Sequence, residues 1–152
     1  MSDFLIRPIM PEDYAQWLPL WLAYNAFYGR SGPTALPDIV TETTWARFLD
    51  TAEPMAATVA IKDGAIVGFA HHLFHRSTSA IEMSCYLQDL FTLETHRGQG
   101  IARGLIEAVY AAAKQAGTTR VYWHTHETNR TAQNLYDKIA QKSGFIVYRK
   151  VL

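Results

Sequence analysis

The hexapeptide Arg97-Gly98-Gln99-Gly100-Ile101-Ala102 has the make-up of an anion cradle. An apolar run, Tyr86-Leu87-Gln88-Asp89-Leu90-Phe91, leads toward it, and a helical pattern leaves it at Gly100. A strand that empties through glycines into a helix presents unpaired backbone N–H groups, and the helix dipole adds roughly half a positive charge there. Gly98 and Gly100 let the backbone approach a ligand with no Cβ in the way. A nucleotide P-loop would end in Gly-Lys-Ser/Thr, which this segment lacks. A dinucleotide fingerprint fits loosely through Gly98, Gly100 and Gly104, with Glu127 placed for a ribose. Against it, Glu94-Thr95-His96 separate the strand from the glycines, and the chain after the loop is too short to complete a doubly wound domain. A plain strand-to-helix turn is the bland alternative.

Other residue types capable of chemistry are scattered. His71, His72 and His75 share a strand, but His71 and His72 face opposite sides, so no metal site is expected. His124 and His126 share a face and are candidates for lining a substrate cleft. Cys85 lies in an apolar run and reads as a small packing residue. Tyr24, Asn25, Phe27 and Tyr28 close an aromatic helix, as core or as a lid over a ligand.

The elements that must position these groups can be read in order. Phe4–Arg7 predicts a short strand, Tyr14–Tyr28 an amphipathic helix opened by Pro11, and Asp38–Asp50 a second helix. Met55–Ile61 and Ala65–Phe74 form a hairpin across Lys62-Asp63-Gly64. A long strand follows over Glu82–Leu93, then a helix over Gly100–Ala116 stopped by Gly117. The remainder predicts strand Arg120–Thr125, helix Asn129–Lys142 and strand Phe145–Val151. Two helices, an antiparallel run and a βαβαβ half make one mixed α/β sheet.

The 152 residues suit a single domain spanning 1–152 with a full core. Fourteen basic residues balance fourteen acidic ones, so no nucleic-acid or membrane partner is expected. With one cysteine, no apolar signal core in MSDFLIRP and no membrane-length apolar run, the expectation is a cytoplasmic protein.

The segment 97–102 satisfies in full the Arg/Gln-x-x-Gly-x-Gly/Ala signature of the GNAT N-acetyltransferases, between strand and helix as in that family. Asn129 and Tyr136 follow in the frame N-x-x-A-x-x-L-Y, and Tyr86–Phe91 resembles the Tyr-Leu-Glu-Asp-Phe-Phe strand of the diamine (spermidine/spermine, thialysine) acetyltransferase branch. The resemblance covers Tyr86–Tyr136 closely. It implies a mixed, mostly antiparallel twisted sheet of about six or seven strands with about four helices, in the order β-α-α-β-β-β-α-β-α-β. It also implies acetyl-CoA as co-substrate without a metal. The diphosphate would lie on Arg97, Gly98, Gln99, Gly100, Ile101, Ala102 and Arg103. The pantetheine arm would lie along Leu90, Phe91 and Thr92, and Asn129 and Tyr136 would complete the coenzyme site. Dimerisation is common in the family, so a homodimer is one possible assembly.

The implied activity is direct transfer of an acetyl group to a primary amine in a ternary complex. A small amine, an amino-acid-like compound and a protein lysine are all open as acceptors. A lysine-like amine has a pKa near 10.4, so freeing its lone pair at pH 7 costs about 4–5 kcal/mol. Tyr136 is the candidate proton donor to the leaving thiolate. Position 88 carries glutamate in the diamine branch, a candidate base; Gln88 here cannot accept a proton at neutral pH, and orients the acceptor or a water instead. Strand alternation sets Gln88, Leu90 and Thr92 on one face and Leu87, Asp89 and Phe91 on the other, unless a bulge re-aims Asp89. Glu82, Glu127, His124, His126 or a water remain as bases. The change at Gln88 also admits a non-catalytic acyl-CoA sensor, or an acyltransferase of different acyl or acceptor specificity.

Overall fold

Trp17, Trp21 and Tyr24 recur at steps of four and three residues, so a helix through them puts all three rings on one face. In the computed structural model, which describes residues 3–152, that helix is α1 (Tyr14–Phe27). It follows strand β1 (Leu5–Pro8) and a single turn opened by Pro11. Arg7 ties the two elements together, donating to both oxygens of Asp13 at 2.7 and 2.9 Å. Asp13 also accepts the Met10 N–H, and its hydrogen bonds with Arg7 hold its carboxyl below the usual range. Helix α2 (Asp38–Leu49) completes the layer on this side.

Strands β2 (Met55–Lys62) and β3 (Ala65–His75) form the expected hairpin. Its turn residues Asp63 and Gly64 both have positive φ, 51° and 76°, as a two-residue turn matching strand twist requires. Then come β4 (Ser84–Thr92), α3 (Ile101–Gln115), β5 (Val121–Tyr122) and α4 (Arg130–Ile139). The sheet order is β1-β2-β3-β4-β5, antiparallel except for the parallel β4–β5 pair. One core lies between the sheet and α1/α2, around Trp17, Val59 and Phe69. The other lies under α3, around Leu87, Leu105, Ile106 and Val109.

Two expectations change. The sheet of the described residues has five strands rather than six or seven, because Phe145–Val151 forms none. Strand propensity makes a strand only where a partner lies alongside; here α4 ends at Ile139, short of Lys142, and the segment beyond is exposed, Phe145 by 90%. The strand expected over Arg120–Thr125 shrinks to Val121–Tyr122, since β5 meets β4 only at Cys85↔Val121 and Tyr86↔Tyr122.

Helix α3 lies close on the sheet at Gly68. A Cβ there would sit 2.8 Å from the Phe91 carbonyl oxygen and 3.3 Å from the side chains of Ile101 and Leu105. Gly68→Ala is therefore expected to lower stability by about 1–3 kcal/mol through overpacking. Urea unfolding measures this, and an unchanged midpoint would contradict so close a packing.

Candidate active site

Strand β4 is the spine of the site, and its pairing with β3 is interrupted in the middle. His71 lies opposite Asp89 while His72 lies opposite Leu87, which leaves Gln88 as the extra residue of a bulge. The side-chain parity changes there. Cys85 and Leu87 pack under α3, and so does Leu90, whereas Phe91 packs on the α1 side. Strict alternation is thereby corrected: Gln88 and Asp89, although adjacent, both line one pocket on the α1/α2 side.

The Asp89 carboxylate is held from two directions. The Tyr24 hydroxyl donates to Oδ1 at 2.9 Å, and His71 Nδ1 lies 2.9 Å from Oδ2. The Trp17 indole N–H, which can only donate, meets His71 Nε2 at 3.0 Å. Nε2 is therefore the acceptor nitrogen, and Nδ1 carries the proton that is donated to Asp89. Burial holds His71 below its usual pKa against the opposing pull of Asp89, so the ring is a neutral donor. Burial, with Asp89 beside it, pushes the Tyr24 phenol well above its usual range, and it stays protonated.

The pocket measures about 300 Å³ and is lined by Trp21, Asn25, Arg30, Phe48, Gln88 and Asp89, among others. His72 also borders it. Burial depresses its pKa to about 4, so it is neutral, and its Nδ1 has no hydrogen-bond partner among the described residues. None of Glu82, Glu127, His124 and His126 lines this pocket. Instead His124 Nδ1 meets the Tyr86 hydroxyl at 3.2 Å and His126 Nδ1 meets the Thr128 hydroxyl at 2.7 Å. Phe27 and Tyr28 are exposed, while Tyr24 and Asn25 are buried.

Beyond Tyr86 the β4 edge that faces β5 has no partner strand among the described residues. The alternate backbone groups of Leu87–Phe91 that point away from β3 are thus open. The Thr92 carbonyl accepts from Arg97 Nε at 3.4 Å, and the buried Thr92 hydroxyl has no hydrogen-bond partner among the described residues. This open edge ends at the glycine cradle. Gly98 and Gly100 adopt left-handed φ of 75° and 84°, which side chains rarely take. The first backbone bond of α3 runs from the Gly104 N–H to the Gly100 carbonyl, with no side-chain cap, so the N–H groups before it are unpaired. Lys62 donates to Gln99 at 2.6 Å, Arg97 is exposed, and Arg103 pairs with Glu107 at 3.0 Å. Ile101 is buried in the α3 core and Ala102 is half-buried.

Across the open edge, Asn129 caps α4 by accepting the Ala132 N–H at 3.3 Å. Two turns further along α4 Tyr136 packs edge-on against Trp123, ring centroids 5.3 Å apart. Burial, then the Tyr28 phenol, raises its pKa. The Trp17–His71–Asp89–Tyr24 chain and Arg30 carried little signal in the sequence. A histidine inside an apolar strand and a tryptophan-lined helix face were visible, but their pairing depends on the tertiary fold.

The profile of the Acetyltransferase (GNAT) family matches residues 17–140. The D-amino-acid N-acetyltransferase HPA3 of Saccharomyces cerevisiae is 36% identical over 148 residues, covering 96% of this chain and 89% of the yeast protein. The structure of AAC(6')-Iy in complex with the bisubstrate analog CoA-S-monomethyl-acetylneamine shares the fold with a TM-score of 0.82 at 21% identity, over 99% of this chain and 100% of that one. A ribosomal-protein-alanine N-acetyltransferase from Brucella melitensis biovar Abortus 2308 does so with a TM-score of 0.76 at 19% identity, over 98% and 99%. With an open strand edge, a glycine cradle and a family match across most of its length, the chain belongs to the acetyltransferase (GNAT) family and is an N-acetyltransferase.

Proposed function

We propose that the protein moves the acetyl group of acetyl-CoA to a primary amine by direct attack with both substrates bound, and that the amine is small and amino-acid-like. One arrangement carries this reading: an unpaired β4 edge that runs from the Asp89 pocket to a cradle of unpaired N–H groups. Residues of this kind suit coenzyme A. The cradle offers donors and a helix dipole to a diphosphate, a Cβ at Gly98 or Gly100 would meet nothing within 4 Å, and the orphaned Thr92 hydroxyl lies along the edge. Asn129 has its carbonyl oxygen committed to the α4 cap, which leaves its amide for a ligand. The similarity to HPA3 supports an amino-acid-like acceptor, and a pocket near the small end of ligand sites favours a small amine over a protein segment.

Bound acetyl-CoA supplies a thioester carbonyl open to a neutral amine. The residues of the chain manage the protons. Asp89, fixed by Tyr24 and His71, draws the acceptor ammonium into the pocket and takes its proton directly or through water. Gln88, beside it, hydrogen-bonds the acceptor or that water. Tyr136 keeps its proton because burial raises its pKa. A thiol near pKa 8.5 is more acidic than this phenol, so complete proton transfer from Tyr136 is uphill. It therefore works chiefly as a hydrogen-bond donor to the developing thiolate.

Four measurements test this. Gly100→Glu is expected to weaken acetyl-CoA binding by about 100-fold or more, by adding negative charge where the diphosphate would lie, a loss of about 2.7 kcal/mol. Gly117→Glu, at a similar φ of 80° outside the cradle, controls for backbone strain; equal affinities in both variants would sink the loop assignment. Tyr136→Phe is expected to reduce kcat roughly 10- to 100-fold while acetyl-CoA affinity stays within a few-fold. Because the Tyr136 pKa is raised, the wild-type rate should show no alkaline loss below about pH 10. Asp89→Asn, which keeps the shape but not the charge, should lower kcat/KM about 100-fold or more at pH 7. Turnover equal to wild type would remove Asp89 as the base.

A further inference from the structure

The acceptor pocket holds two groups with fixed charge, Asp89 and Arg30, and they are of opposite sign. The two histidines that border it are held neutral by burial. Asp89 has both oxygens occupied by protein donors, but Arg30 is only half engaged. Its Nε donates to Asn25 Oδ1 at 2.6 Å, and its guanidinium lies over the Tyr28 ring, 5.5 Å from the centroid. Its two Nη groups make no hydrogen bond, and no carboxylate lies within ion-pair distance, among the described residues.

The arrangement that holds Arg30 is built rather than loose. Helix α1 ends at Phe27, and Gly29 turns the chain with φ of 79° so that the Arg30 N–H bonds the Asn25 carbonyl at 2.8 Å. Asn25 is buried and anchored by its own amide to the Trp21 carbonyl at 2.9 Å, which leaves its side-chain oxygen for Arg30. A planar guanidinium fixed at Nε and placed over a ring presents its Nη pair as a fork suited to a carboxylate. The charge of Arg30 also opposes the rise in the Tyr24 pKa, so it acts on the phenol that holds Asp89. The free cation and the carboxylate therefore belong to one electrostatic unit.

We infer that Arg30, held by Asn25, binds a carboxylate on the acceptor, so that the substrate is a free amino acid read at both its ends. The acceptor carboxylate meets the Nη fork and its ammonium meets Asp89. This rests on the acetyl-transfer reading and names the residues that select the substrate. A zwitterion matches the paired charges of the pocket, a diamine would place a second cation toward Arg30, and a lysine within a protein would bring no carboxylate to it.

The experiment compares leucine, leucinamide and isoamylamine as acceptors with saturating acetyl-CoA, using both enantiomers of the first two. Wild-type protein is expected to favour leucine over the other two by about 10- to 100-fold in kcat/KM, the size of a charged hydrogen-bonded contact. In Arg30→Gln that preference should collapse to within a few-fold, through a rise in KM for leucine. Asn25→Asp, which gives Arg30 a carboxylate of its own, should weaken the preference as well. Thermal stabilisation by acetyl-CoA shows that each variant is folded. A wild-type protein that acetylates all three alike, or a folded Arg30→Gln variant that keeps the full preference, overturns the inference and leaves acetyl transfer standing. Failure of the wild type to acetylate any of the three overturns both.

Discussion

A carboxylate set among aromatic rings is tolerated only when its oxygens are occupied. Asp89 meets that condition by drawing on parts of the chain far apart in sequence. Tyr24 comes from α1, His71 comes from β3 and is itself fixed by Trp17, and Asp89 sits just past the bulge in β4. Removing any one of them would leave a buried polar group without a partner. The packing of α1 on the sheet and the direction of the carboxylate are therefore one constraint. The stacked Trp17, Trp21 and Tyr24 rings supply the apolar enclosure, and the polar chain through them decides how they sit.

The same enclosure divides labour among groups that could all exchange protons. Burial pushes the histidines down and the phenols up, so His71, His72, Tyr24 and Tyr136 are neutral at physiological pH. Within the pocket, fixed charge is left to Asp89 and Arg30. Such a site responds to the charge pattern of its ligand more than to its bulk, a property suited to discrimination among small polar molecules.

Much of this was legible from local pattern. Glycines at 98 and 100 announced the cradle because left-handed backbone leaves a mark on residue choice. Helix α1 began close to where Pro11 suggested, and α3 ended close to where Gly117 did. What stayed hidden depends on partners. The bulge at Gln88 arises from how β3 and β4 meet, and the run YLQDLF reads equally well with or without it. Phe145–Val151 has the composition of a strand, yet composition cannot say whether an edge lies alongside. Arg30 carries no mark of its own in the sequence; Asn25 and the pocket give it its direction.

Strand β4 is an interior strand in the order of the sheet, yet only its first part has neighbours on both sides. The ladder to β3 is broken at Gln88 and the ladder to β5 stops at Tyr86, so one strand divides into two mechanical regimes. Its start is clamped like core. From Leu87 onward, the amides that point away from β3 meet no acceptor strand among the described residues, as at the edge of a sheet. An interior strand of uneven pairing results, firm where it anchors the fold and open where a ligand backbone can take the place of the missing neighbour.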